Sequence, residues 1–102
     1  PLWELWCAMQ VLGKDKLISF YKKHANAKSA IEAWIAEAQS AKWKTPQDIK
    51  ERYRSADYLD GNRVIFNIKG NHYRLVVRVR YQNGVAVVEW VGTHAEYDKQ
   101  RF

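Results

Sequence analysis

The sequence predicts an α+β fold in which two to three N-terminal helices pack on a curved, mainly antiparallel β-sheet. Three observations lead there. Apolar residues in the first half recur at helical spacing, from Asp57 onward they alternate with polar ones, and three glycine-containing turns cut that second half into short runs. With 102 residues, 47% of them hydrophobic, the chain is sized for one core and would leave two cores too small.

Residues 1–8, PLWELWCA, are apolar but interrupted by Glu4, follow no basic residues and are too short to cross a bilayer. They read as neither signal peptide nor anchor but as an N-terminal extension or a cloning remnant, with residues 9–102 forming the domain. A strand-like MQVLG begins at Met9. After Gly13, Leu17, Phe20, Tyr21 and His24 mark one helix face, and Ala27, Ala30, Ile31, Trp34, Ala38 and Ala41 a second, with a break at HANA. TPQD then offers Thr45 as cap, Pro46 at the first helical position and Asp48 in the first turn of a short third helix ending near Tyr53.

The turns DGN (60–62), KGN (69–71) and QNG (82–84) bound an antiparallel meander. Val64, Phe66 and Ile68, then Tyr73, Leu75, Val77 and Val79, form an apolar face for the helices to cover. The alternate positions Ile65, Asn67, Lys69, Arg74, Val76, Arg78 and Arg80 form a second face expected to be wet and basic.

Seventeen Lys and Arg against eleven Asp and Glu give a net charge of +6, which favours RNA, DNA or an acidic protein as partner. The lone cysteine, Cys7, excludes an internal disulfide framework and a cysteine zinc cluster, and fits a reducing cytoplasm. His24 and His72 have no ligand-spaced companions, and Glu89, Glu96 and Asp98 do not form a magnesium cluster, so no metal or cofactor is expected. Nor is there a local serine or cysteine nucleophile signature or a Walker-type phosphate loop.

Each cation of the second face, taken singly, reads as solvated surface. Together, like charges at alternate positions of one strand face repel, across about 7 Å for Arg78 and Arg80, and a face that keeps these two and Arg74 suits phosphate. Trp43, between Lys42 and Lys44, reads as an exposed aromatic able to stack a base, whereas Trp34 and Trp90 read as core. VGTHAEYDK, residues 91–99, sets His94, Tyr97 and Asp98 at the end of the last strand, where a histidine is either incidental or a proton-transfer group.

The segments KWKTPQDIKERY, NRVIFNIKGNHYRLVVRVRY and VEWVGTHAEYDK, in this order, resemble the HigB type of RelE-superfamily toxins from bacterial type II toxin–antitoxin systems. The resemblance runs from about Met9 to Lys99, with Ile65 where the family pattern has valine. It implies a RelE-like fold and a cytoplasmic, ribosome-dependent mRNA endonuclease that stops translation. It also implies a cognate HigA-like helix-turn-helix antitoxin, operator DNA met only through the antitoxin complex, and no membrane partner. Arg74, in the YRLV strand, corresponds to the arginine beside the scissile phosphate; His94, after VG, and Tyr97 correspond to the other catalytic positions. In metal-independent RNA cleavage Arg74, Arg78 and Lys69 suit the charged transition state, His94 serves as acid or base, and Tyr97 assists or stacks. Asn67, Arg80, Lys42, Trp43 and Lys44 would extend the RNA surface. The alternative is a non-catalytic basic module that binds RNA or protein through the same face.

Removal of residues 1–8 is expected to leave folding and toxicity intact, since they lack any periodicity matched to the core. A melting temperature lowered by more than about 10 °C would contradict this.

Overall fold

The computed structural model describes residues 9–101; residues 1–8, read above as an extension, lie outside them. The elements are β1 (Gln10–Leu12), α1 (Lys14–Lys23), a 3-10 turn (Ala25–Ala27), α2 (Lys28–Ser40), α3 (Pro46–Arg52), β2 (Asp57–Leu59), β3 (Arg63–Ile68), β4 (Tyr73–Arg80), β5 (Val85–Thr93) and α4 (His94–Asp98). The five strands form one mixed sheet in the order β1-β5-β4-β3-β2, with β1 parallel to β5 and every other pair antiparallel. The architecture is the expected α+β one, and all three predicted turns join the strands they were expected to join.

Gly13 makes the passage from β1 into α1 possible. Its φ is +83°, and a Cβ there would lie 2.9 Å from the Val88 carbonyl oxygen, so both conformation and space demand glycine. α1 buries Leu17, and α2 buries Ile31, Trp34 and Ala38. α3 starts with a complete capping box: Asp48 N–H donates to the Thr45 hydroxyl and Thr45 N–H to the Asp48 carboxylate, with Pro46 at the first helical position. Among the described residues no helix is long and apolar enough to cross a membrane.

The core lies between these helices and one sheet face. Val64, Phe66, Ile68, Tyr73, Leu75, Val77 and Val79 are all buried there. Trp43 joins them. It is only 5% exposed, with its ring stacked 5.9 Å from Phe66 and edge-on to Tyr53. The expectation of an exposed stacking ring is therefore corrected. Lys42 and Lys44 are exposed on either side of it, so the short segment alternates inward and outward like a strand.

The second face also departs from a uniformly wet, basic surface. Ile65 and Val76 are buried and stand opposite one another in the β3–β4 ladder. They form an apolar row across the sheet, with Asn67 and Arg74 on one side of it and Arg63 and Arg78 on the other.

Trp43→Ala is expected to cost about 3–5 kcal/mol of folding stability, the scale for emptying a buried aromatic site. Denaturant unfolding measures it; a loss near zero would return Trp43 to the surface.

Candidate active site

The ladder between β4 and β5 is irregular at one point. Val77 stands opposite Val88 and Val76 opposite Trp90, which leaves Glu89 as an extra, bulged residue. The bulge inverts the alternation of β5 beyond it. Trp90 therefore shares the second face with Val76, while Val91 turns to pack against the core. This corrects the assignment of Trp90 to the core. Its indole lies over Gly92, where a Cβ would come within 2.6 Å of the ring, and its centroid is 6.0 Å from that of Tyr97.

Because Gly92 stands opposite Arg74 and Thr93 opposite Tyr73, the chain leaves the sheet beside Arg74. There it turns at once into α4. Glu96 N–H donates to the Thr93 hydroxyl at 3.1 Å and Thr93 N–H to the Glu96 carboxylate at 2.8 Å, a second capping box. His94 N–H also donates to the His72 carbonyl, tying α4 to the β3–β4 turn. The T-x-x-E spacing that encodes this box stands plainly in the sequence, where the stretch was read only as a strand end.

One turn of helix then gathers the predicted catalytic residues. Arg74 Nη2 lies 2.7 Å from His94 Nε2; a guanidinium only donates, so the contact uses a lone pair on Nε2 and leaves Nδ1 to carry the ring proton. Nδ1 faces the Asp98 carboxylate at 3.6 Å. The Arg74 guanidinium also lies over the Tyr97 ring, 4.5 Å from its centre, a cation–π contact. Arg74 Nε and Asn67 Oδ1, on residues opposite one another in the ladder, are buried with no protein hydrogen-bond partner among the described residues. Asn67 is anchored through its amide nitrogen, 3.0 Å from the Ser55 carbonyl.

The other sequence-predicted cations are not part of this cluster. Lys69 is exposed in the β3–β4 turn at a positive φ of 52°, at the same end of the sheet. Arg78 is engaged by the Glu89 carboxylate at 2.8 Å and the Gly61 carbonyl at 2.9 Å. The bulged carboxylate thus answers the repulsion that was expected to need phosphate. Arg80 is exposed at the far end of β4, where it shares a groove with Lys44 and Asn62. Among the described residues no three His, Cys, Asp or Glu side chains gather as a metal site requires.

A protein-family model described as HigB toxin, RelE-like toxic component of a toxin–antitoxin system, matches residues 27–100. No curated protein sequence matches the chain.

Hydrogen bonds from the Thr93 backbone N–H and hydroxyl hold the Glu96 carboxyl below the usual carboxylate range. A group whose folded pKa is depressed stabilises the fold above its unfolded pKa and loses that contribution as pH falls through the folded value. Acidification below the usual carboxylate range is accordingly expected to release α4 first, read as loss of amide protection over residues 94–98 before the sheet opens. Thr93→Ala should reproduce the release at neutral pH, at a cost of about 0.5–2 kcal/mol. Protection of α4 that persists to global unfolding would contradict both.

Proposed function

Because the chain belongs to the HigB family of RelE-like toxins, the toxic components of toxin–antitoxin systems, we propose that it acts as a ribosome-dependent endoribonuclease that cuts mRNA and stops translation. The family implies an antitoxin partner; in our reading it is HigA-like, with a helix-turn-helix that carries the pair to operator DNA. The toxin acts in the cytoplasm, where its substrate is.

The observation that carries this reading is the 2.7 Å contact of Arg74 with His94 over the Tyr97 ring. It joins a fixed cation to a neutral imidazole with a lone pair on Nε2, the two groups that internal RNA transesterification needs side by side. A phosphate arriving at Arg74 takes the guanidinium N–H groups and frees Nε2. The 2′-oxygen attacks phosphorus as His94 Nε2 accepts its proton, and the Asp98 carboxylate behind Nδ1 faces the imidazolium that forms. The bond from phosphorus to the 5′-oxygen breaks, and that oxygen takes a proton, for which the Tyr97 hydroxyl is the donor we assign. The products are a 2′,3′-cyclic phosphate and a 5′-hydroxyl. Arg74 balances the transition-state charge, and the cleavage needs no metal ion.

The openness of the site supports dependence on the ribosome. The His94 side chain is 39% exposed and that of Asp98 64%, and so open a cluster does not by itself hold a flexible strand on both sides of the scissile bond for in-line attack. A template that already holds the mRNA supplies the alignment.

His94→Gln keeps size and polarity but removes the proton acceptor, and is expected to fold, bind ribosomes and lose about 10²- to 10⁴-fold in cleavage rate. Arg74→Ala is expected to weaken both binding and cleavage. Cleavage by a folded, ribosome-binding His94→Gln within a few-fold of the parent would move the catalytic role from His94 to Lys69, Tyr97 or the ribosome itself. Loss of activity to a chelator on ribosomes stabilised by polyamine would contradict metal independence.

A further inference from the structure

Beside the cluster, between α1, the end of β5 and α4, lies a groove of about 480 Å³, within the range of small-ligand sites. Trp90 and Glu96 form its wall toward α4, and its opposite wall is α1, which contributes Asp15, Lys16, Ser19, Phe20 and Lys23, with His24 just beyond its end. We propose that this groove is a nucleotide subsite: it takes the base and phosphate of the residue flanking the scissile phosphate, and so sets the sequence preference of the cut. The inference rests on the RNA-cleaving reading above and names the part of the substrate that the catalytic cluster leaves unaddressed.

Three features carry it. The first is continuity. Trp90 is the shared wall: its ring centre lies 6.0 Å from that of Tyr97 and it also lines the groove, so the groove adjoins the cluster. The second is the lining. Phe20 and His24 stack at 4.3 Å with rings 24° apart, and with Trp90 they give the groove the aromatic surfaces on which unpaired bases stack. The third is charge. Lys16 and Lys23 are exposed on α1 and seven residues apart, two helical turns along one face, where they can meet a backbone phosphate. The Glu89 and Glu96 carboxylates in the wall are engaged by Arg78 and by Thr93, and Asp15 lies across from them. Carboxylates accept hydrogen bonds but cannot donate them, which favours a base with an exocyclic amino group.

Ser19 lies exposed in the α1 wall, outside the catalytic cluster, so Ser19→Trp fills the groove while leaving Arg74, His94 and Tyr97 in place. Two measurements test the subsite, with melting temperatures as control: mapping of mRNA 5′ ends in cells expressing each variant, and amide NMR of the chain titrated with a trinucleotide bearing a 2′-deoxy sugar at the cut. The parent is expected to show a base bias next to the cut. Ser19→Trp and the Lys16→Ala/Lys23→Ala double variant should lose that bias and cut preferred sites at least about tenfold more slowly, the scale of losing one stacked base. The trinucleotide should shift amides of residues 16–24 in the parent but not in Ser19→Trp. Unchanged bias and rate in a folded Ser19→Trp, or an absence of shifts in residues 16–24, would overturn the subsite. Shifts there with no cleavage by the parent would uphold the groove and refute the endonuclease reading instead.

Discussion

Where β5 carries one residue more than β4 can pair, at Glu89, the sheet decides which side chains the site receives. In a regular ladder Val91 would stand opposite Arg74 and Trp90 would continue inward in step with Val88. With the extra residue, Gly92 stands opposite Arg74, and the space above it is filled by the Trp90 indole. The chain then exits at Thr93 on the face that bears Arg74, and a capping box immediately folds it back as α4. The contact between Arg74 and His94 follows from that offset. So does the charge balance of the face, since the bulged Glu89 is the residue that binds Arg78.

The same offset divides the cations by task. Arg74 is held by an imidazole and an aromatic ring, neither of which neutralises it, so its charge is available to a phosphate. Arg78 is held by a carboxylate and a carbonyl, which commit it to the fold. The buried row of Ile65 and Val76 separates the two. A surface that looks in one dimension like a continuous basic stripe is in three dimensions one reactive cation, one structural ion pair, and a third arginine at the far end of the strand.

Most of the scaffold was legible because its signals are local. The glycine turns, the Thr45 capping box and the periodicity of α1, α2, β3 and β4 each depend on residues within a few positions of one another. The misreadings share a different cause. Neighbours in sequence do not place Trp43 or Trp90: the facing of Trp43 depends on Phe66 and Tyr53, and that of Trp90 on a bulge defined only by pairing with β4. A bulge has no marker in a single strand: VAVVEWVG reads equally well with or without a shift in phase. The Glu96 cap is the exception, a local signal that the T-x-x-E spacing of residues 93–96 carries in the sequence itself. The convergence of Arg74 with His94, twenty residues apart, is non-local, and the sequence reached it through resemblance alone.

The central claim is that the end of β5 delivers His94 Nε2, as a hydrogen-bond acceptor, onto the Arg74 guanidinium. Long-range ¹⁵N correlation spectra of the histidine rings, recorded at alkaline pH where imidazole is neutral, test it directly. The structure predicts that His94 is the Nδ1–H tautomer with a hydrogen-bonded Nε2, and that Arg74→Ala abolishes this signature without altering those of His24 and His72. An Nε2–H tautomer at His94, or a spectrum indifferent to the loss of Arg74, would contradict the account.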